Sequence, residues 1–413
     1  MTDAIYRRDT CRLCGGPDLS LIMPLAPTPI GDDFVPPERS EEPQDSYPLD
    51  VYLCQQCSHV QLLDVVNPEI IYRKYNYVTV SSPGLPKHFQ QYVDAVINNL
   101  EVSRDSFVVD LGSNDGTLLK CFQASGMNVL GVDPAVDIAR AATEQGTETL
   151  PHFFDSALGQ QIRRERGAAR IVTANNIFAN VDDLDSITDG IRHLLADNGV
   201  FVFETGYLLG MVENLVFDNV YHEHLSYYAA KPLENFFRRH GMELFDAERV
   251  PTKGGSLRGF VQLANGPRKV SQNVSDLIDL EIERGLGDAK TFETYMAKIN
   301  SAKAETLAFV DSARARGETV AGYGASHSVT TIMYHFDLTD RLDFLVDDNP
   351  RKQNLVSPGC HIPVWAPDAL YDKRPDHVLV LPWRFRDAIV QQHDAYLAKG
   401  GHFVVPLPEF EVI

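Results

Sequence analysis

Phe107-Val108-Val109-Asp110-Leu111 runs directly into Gly112-Ser113-Asn114-Asp115-Gly116-Thr117, and this stretch decides the fold. A short apolar run without alternation reads as a strand buried on both faces of a parallel sheet. Leu118, Leu119 and Phe122 then take up helical spacing. Further on, Val129-Leu130-Gly131-Val132-Asp133-Pro134 is a second strand, ending in an acid. Strand, glycine turn, helix and acid-tipped strand make a dinucleotide-type crevice. Its glycines let the backbone approach a ligand, and its acid accepts from ribose hydroxyls. The loop differs from a pyrophosphate binder, because Asn114 and Asp115 place an amide and an acid where such loops keep backbone amides clear. It suits a nucleoside carrying an amino group, which S-adenosylmethionine presents.

Downstream, Ala169 to Ala174 is another strand, followed by Asn175, Asn176 and, a few residues on, Asn180. Residues at strand ends in an open α/β sheet line its ligand crevice, so this loop should face cofactor and substrate. Gly199 to Thr205 is the next strand. Then comes Tyr221-His222-Glu223-His224-Leu225-Ser226-Tyr227-Tyr228, with two imidazoles, a carboxylate and three phenols in eight residues. An imidazole exchanges protons near neutral pH, a carboxylate can fix its tautomer, and a phenol can hold an oxyanion. The same composition also occurs on amphipathic surfaces, so the weight here comes from the nucleoside crevice preceding it. Gly254-Gly255-Ser256-Leu257-Arg258 is a glycine turn presenting an arginine. From Ser271 to Arg316 the pattern is long, charged helix. Val320-Ala321 then enters Gly322-Tyr323-Gly324-Ala325-Ser326, and Leu342 to Asp348 is a strand ending in acids. His377 to Trp383 and His402 to Val405 are the last strands expected. The final part reads as a second, smaller Rossmann-type unit, used either for packing or to hold a substrate nucleotide.

Upstream, Ile71 to Tyr77 is an aromatic run that reads equally as a packing face or a pocket wall, and Phe89, Tyr92, Val93, Val96 and Ile97 are helically spaced. The start of the chain carries two knuckles, Cys11-Arg12-Leu13-Cys14 and Cys54-Gln55-Gln56-Cys57. Four thiolates in two CxxC pairs suit tetrahedral Zn²⁺, whereas a redox CxxC needs no partner pair. The segment between is rich in proline and acid and is expected to bury little by itself. A closed four-thiolate site leaves no open position, so its expected role is structural. Cys121 and Cys360 are isolated and read as buried thiols.

The chain has 413 residues, enough for two or three domains, with 37 Lys plus Arg against 57 Asp plus Glu and a net charge of −20. That sign disfavours nucleic acid and anionic membranes as partners. No apolar run approaches the ~20 residues of a membrane span. Met1 to Thr10 lacks a signal-peptide core, and the expected location is cytoplasmic. Nothing demands more than a monomer.

In this order, the paired knuckles, DLGSNDG, YHEHLSYY, GGSLR and GYGAS resemble the sugar C-methyltransferases of deoxysugar biosynthesis, over essentially the whole chain. The resemblance implies an α/β architecture with a four-cysteine zinc-binding domain (1–70), a Rossmann-like S-adenosylmethionine domain (71–270), a helical linker (271–316) and a C-terminal Rossmann-like domain (317–413). It implies methylation beside the ketone of a nucleotide-linked, typically TDP-linked, 4-keto-6-deoxy sugar. His224 is then the base, Tyr221 donates to the enolate oxygen, Glu223 orients His224 or a sugar hydroxyl, and Asn180 completes the catalytic set. Asp110, Gly112, Asn114, Gly116, Asp133, Asn175 and Asn176 fall to the cofactor. Tyr75 (with Tyr77 as a rival), His222, Arg258, Gly322, Gly324 and Asp347 fall to the substrate, and Cys11, Cys14, Cys54 and Cys57 to structural zinc. Two positions depart from the pattern. Asn180 stands where relatives often carry a histidine, and an amide hydrogen-bonds but does not act as an acid. Ser326-His327-Ser328 stands where a lysine is common. The competing readings are O- or N-methyl transfer or another keto acceptor on the same scaffold, and a non-catalytic binding protein.

Overall fold

The computed structural model describes residues 4–72, 78–81 and 84–413. Near the start, β1 (Ile5–Arg7), β2 (Leu19–Met23), β3 (Val51–Cys54), β4 (Val60–Leu62) and β5 (Asp64–Val66) precede the short helix α1 (Pro68–Tyr72). Helix α2 (Leu85–Leu100) buries Phe89, Tyr92, Val93 and Val96, the face its spacing predicted. Then come β6 (Phe107–Leu111), α3 (Thr117–Ala124), β7 (Asn128–Val132), α4 (Val136–Glu144), β8 (Thr149–Leu150), α5 (Ser156–Arg166), β9 (Ala169–Asn175), α6 (Leu184–Leu194) and β10 (Leu195–Gly206). Helix α7 (Leu208–Glu213), β11 (Ser226–Tyr227), α8 (Ala230–Arg239), β12 (Met242–Val250) and β13 (Ser256–Leu263) follow. The strands stand in the order β12-β13-β10-β9-β6-β7-β8. Pairs from β8 to β10 are parallel, while β13 runs antiparallel to both β10 and β12. Chain order reverses between β6 and β9, so the crevice opens where their carboxyl ends diverge.

Helices α9 (Gln272–Glu283) and α10 (Ala289–Ala315) occupy the charged stretch. The α10 stripe of Phe292, Tyr295, Met296, Ile299, Thr306 and Val310 is buried, and the helix lies on both β2 and the final sheet. It therefore packs as a shared wall. That sheet comprises β14 (Val320–Tyr323), β15 (Leu345–Val346), β16 (Val364–Trp365), β17 (His377–Val380), β18 (His402–Val405) and β19 (Glu411–Val412), with α11 (His327–His335) after β14. Its order is β16-β15-β14-β17-β18-β19. The edge strand β19, too short and polar to register as a strand in the sequence, pairs antiparallel with β18.

Two further expectations fail. The proline- and acid-rich segment between the knuckles is not bare: Met23, Leu25, Leu49 and Val51 are buried. It is pressed against the C-terminal unit, where Val35 bridges Val356 and Gln44 Oε1 accepts from the Gly359 amide at 2.7 Å. Cys121 and Cys360 are half-buried. Among the described residues no helix is long and apolar enough to cross a membrane.

One contact governs the site. Strand β11 pairs with β4, Ser226 opposite Gln61 and Tyr227 opposite Val60, so the segment after His224 completes the N-terminal sheet in the order β11-β4-β3-β2. Beneath it Phe178 stacks on Tyr228 at 5.4 Å and on Phe237 at 6.0 Å, and the Tyr228 hydroxyl donates to the Phe178 carbonyl at 2.9 Å. Each such ring pair adds roughly 0.5–1.5 kcal/mol beyond the area it buries. The aromatic stack thereby fixes the 175–180 loop against the segment carrying the histidines.

Candidate active site

The cofactor crevice is built from main chain first. Gly112 has φ +69°, and its amide donates to Val132 O at 2.7 Å. A Cβ there would lie 2.2 Å from Ile177 Cγ1, so both conformation and space call for glycine. Gly116, at φ +73°, sits just before α3. Asp133 holds the loop with both oxygens, accepting from the Asn114 amide and the Ala135 amide at 2.9 Å each. The Asn114 carboxamide oxygen accepts from the Thr79 amide at 2.9 Å, tying the loop to the segment before α2. Asp110 is buried and accepts from Thr173 Oγ1 at 2.6 Å; burial pushes its carboxyl up to about 7, against the Thr173 bond.

The residues present fit S-adenosylmethionine. Both side-chain atoms of Asn175, at the end of β9, are buried without a hydrogen-bond partner among the described residues. A buried amide left unsatisfied costs about 1–3 kcal/mol, which a polar ligand between loop and strand end would recover. The sulfurs fit zinc equally. Cys11 and Cys57 Sγ are 3.6 Å apart, Cys14 and Cys54 Sγ 3.5 Å, and all four lie within 4.8 Å of one another. Zn–S bonds of about 2.3 Å in a tetrahedron place sulfurs about 3.8 Å apart.

The histidine cluster resolves into two faces. His224 Nδ1 lies 2.9 Å from Asn219 O, and a carbonyl only accepts, so Nδ1 carries the proton. Nε2 is then the lone-pair nitrogen, 3.1 Å from the Tyr221 hydroxyl, which donates to it. Burial pushes His224 down to about 4, assisted by the Lys253 ammonium, so the imidazole is neutral at pH 7. Burial pushes Tyr221 well above the usual phenol range, and it stays protonated. His222 turns the other way: it is buried, with Nε2 3.3 Å from Tyr47 O and its ring edge-on to Tyr47. It faces the N-terminal module, not the pocket.

Glu223 does not orient His224; the Asn219 carbonyl does. One Glu223 oxygen, Oε1, lies 3.1 Å from His327 Nε2, and the other is buried without a partner among the described residues. The His327 cation is the main influence holding Glu223 down at about 2, against the opposing effect of burial. The Asn180 carboxamide oxygen is likewise buried and unpartnered. A single pocket brings His224 together with Asn176, Thr205, Asn219 and Lys253.

Several predicted substrate residues lie elsewhere. Arg258 faces carboxylates: Nε and a terminal nitrogen meet Glu204 at 3.1 and 2.9 Å, the other terminal nitrogen meets Glu248 at 2.8 Å, and the guanidinium lies 4.7 Å over the Tyr92 ring. Gly322 is inside β14, packed under Leu345 and Leu381, and Gly324 lies under Pro382. Asp347 accepts from the amides of Ala325 and Asn349. Tyr75 and Tyr77 lie outside the described residues.

Three residues at the site escaped the sequence reading. Asn219 holds His224 through its carbonyl and the Lys253 carbonyl through its Nδ2, at 3.3 Å. Arg384, from the C-terminal unit, pairs with Asp218 at 2.7 and 2.9 Å and so fixes this turn. Lys253, at φ +52° beside the glycine turn, lines the pocket. A lone asparagine carries no motif. Lysine beside the two glycines was a visible signal that went unused.

Comparison with known proteins divides the chain in three. A zinc binding domain model matches residues 11–72, a methyltransferase domain model 87–246, and the model of the C-methyltransferase C-terminal domain 251–408. The C-methyltransferase NovU of Streptomyces niveus is 31% identical over 414 aligned positions, spanning 100% of this chain and 99% of that protein. Among solved structures, the PH0226 protein of Pyrococcus horikoshii is 14% identical, with TM-score 0.37 over 48% of this chain and 98% of its own. An S-adenosylmethionine-dependent methyltransferase of Clostridium acetobutylicum is 14% identical, with TM-score 0.35 over 43% and 92%.

Proposed function

The chain belongs to the C-methyltransferase family that includes NovU, and from that premise we propose that it methylates a carbon beside the ketone of a nucleotide-linked 4-keto-6-deoxy sugar, TDP-linked. It is an S-adenosylmethionine-dependent enzyme with a four-cysteine zinc module. The sugar, its nucleotide and the residue roles are our reading, supported above all by one observation: a neutral imidazole in the pocket it shares with Asn176, its single lone pair facing the Tyr221 phenol.

A carbon nucleophile requires removal of a proton next to a carbonyl, which is accessible only when the enolate oxygen is stabilised. His224 suits the first task, because its Nδ1–H is committed to Asn219 O and Nε2 can only accept. Tyr221 suits the second. Its hydroxyl now donates to Nε2, and on turning to a ketone oxygen it would release that nitrogen to take the carbon-bound proton. Asn180 Oδ1 and Glu223 Oε2 are acceptors for sugar hydroxyls. Asp110, Gly112, Asn114, Gly116 and Asp133, with Asn175 and Asn176, are the residues to hold S-adenosylmethionine, which supplies an electrophilic methyl group when bound.

The test is incubation with S-adenosylmethionine and a TDP-4-keto-6-deoxy sugar, followed by mass analysis and by proton exchange in deuterated water. One methyl group is expected on the sugar carbon skeleton, and exchange beside the ketone without the cofactor. His224→Gln should reduce both by about 10²–10⁴-fold. A methyl group found on oxygen or nitrogen, or exchange that survives the substitution, would replace this reading.

A further inference from the structure

We propose that His327 is a positioning residue of the catalytic site: pairing with Glu223 Oε1, it leaves Oε2 to accept a substrate hydroxyl and ties that geometry to the seating of the C-terminal unit. The proposal rests on the reading of Glu223 as a substrate acceptor. Helix α11 begins at His327, directly after the glycine loop, and meets two other regions of the chain. Toward the catalytic segment, His327 Nε2 is 3.1 Å from Glu223 Oε1, its ring lies 5.3 Å from that of Tyr221, and Thr331 Oγ1 donates to Val220 O at 2.7 Å. Toward the N-terminal module, His327 Nδ1 is 3.8 Å from Asp32 Oδ1, and Thr330 Oγ1 donates to Gly31 O at 2.9 Å. Lys352 closes the line of charges by pairing with Asp32. The row of alternating charge, Glu223, His327, Asp32 and Lys352, thus comes from three separate regions; the Glu223–His327 contact is an ion pair outside hydrogen-bond geometry, and Glu223 Oε2 has no hydrogen-bond partner among the described residues.

The positive end of α11 disfavours a cation on its own first residue, so the charge on His327 depends on the Glu223 and Asp32 carboxylates beside it. Burial opposes the charge on His327, but Glu223 and Asp32 outweigh it and raise its pKa above the ordinary histidine value, while Lys352 works the other way. Tyr221, neutral, and His224, also neutral at pH 7, are the other titratable groups facing it. The pair is therefore intact from above the Glu223 value of about 2 up to the raised His327 value, and is lost as pH rises past it. Above that point a buried carboxylate faces a neutral ring and its geometry relaxes.

The experiment uses the full-length enzyme. With ¹⁵N-labelled histidine, Glu223→Gln should lower the pH at which His327 titrates; an unchanged titration would overturn the proposal. For the keto-sugar, His327→Gln should cut kcat/KM for solvent exchange by about ten- to a hundredfold with unaltered S-adenosylmethionine affinity. His327→Lys, which keeps the cation, should recover most of that loss and carry activity to higher pH. Equal rates and pH profiles for wild type and His327→Gln would overturn the role, as would a folded, cofactor-binding His327→Lys no better than His327→Gln. If unsubstituted enzyme exchanged nothing with this sugar, the substrate reading alone would fall, and the histidine titration would still decide on the pair.

Discussion

The chain folds two strand–glycine loop–helix units that share the same hydrogen bond at their bases. The Gly112 amide donates to Val132 O at 2.7 Å, and the Gly324 amide to Val346 O at 2.7 Å. The next residue in each second strand is an aspartate with both oxygens on loop amides: Asp133 on Asn114 and Ala135, Asp347 on Ala325 and Asn349. They differ in what lies between glycine and helix. The central loop runs through Ser113, Asn114, Asp115 and Gly116 before α3, whereas Ala325 and Ser326 alone precede α11. The longer loop follows the strand beside β9, which ends in Asn175, whose buried side chain has no hydrogen-bond partner among the described residues. The shorter one delivers the first helical side chain, His327, to Glu223. One scaffold thus carries a four-residue loop before its helix in one copy and, in the other, a two-residue loop that brings its helix onto the histidine-bearing segment.

Breaking each loop separately should give opposite failures, and this is the largest effect expected. In Gly112→Ala the new Cβ meets Ile177 Cγ1 at 2.2 Å in a left-handed conformation, and S-adenosylmethionine affinity should fall at least about tenfold by calorimetry. In Gly324→Ala the Cβ meets Pro382 Cδ at 2.7 Å with φ +104°. Here turnover should fall while cofactor affinity stays within about twofold, because the strain is passed to α11. If both substitutions weakened cofactor binding alike, the division of labour would be wrong.

The base of each loop was legible because a glycine after a buried strand and an acid after the next are local patterns. So were the four cysteines, whose spacing alone indicates a metal. What each loop faces was not legible. Arg258 followed two glycines and read as a substrate ligand, yet Glu204 and Glu248 hold it from strands adjacent only in the folded sheet. Glu223 sat beside His224 in sequence and read as orienting either His224 or a sugar hydroxyl; the turn at Asn219 puts a carbonyl at His224 and sends the carboxylate to His327, which removes the first role. Neighbours in sequence point apart in a turn, and no spacing rule records which way.

The zinc module sharpens the contrast because it touches one side of it. Its sheet gains β11 from the histidine-bearing segment, and Arg12, inside the first knuckle, donates to Leu225 O at 3.3 Å and to Asp182 at 2.8 Å. Its Gly31–Asp32 loop meets α11. Cys54→Ser should therefore release the metal, lower the melting temperature by roughly 10 °C, and depress turnover with cofactor affinity kept, resembling the Gly324 substitution. Metal analysis beside calorimetry checks this. Weakened cofactor binding would mean that the module supports the central crevice too.

The smallest effect concerns protons. Two residues before each loop glycine the copies diverge, Asp110 in one and Gly322 in the other, so only the central crevice carries a second buried acid. Burial raises Asp110 to about 7 from an ordinary value of 3.8, so near neutrality the empty enzyme holds a proton there that the unfolded chain has released. The stabilisation this gives is complete below the ordinary value and is lost as pH rises through about 7. The melting temperature of cofactor-free enzyme should accordingly fall over that window, and Asp110→Asn should flatten the fall. A cationic cofactor favours the carboxylate, so binding should release up to about one proton near pH 6.5, read as a buffer-dependent heat. Gly322 has no side chain to titrate. Release that survives Asp110→Asn would place the proton elsewhere, and its loss would show that the two loops diverged in chemistry as well as in shape.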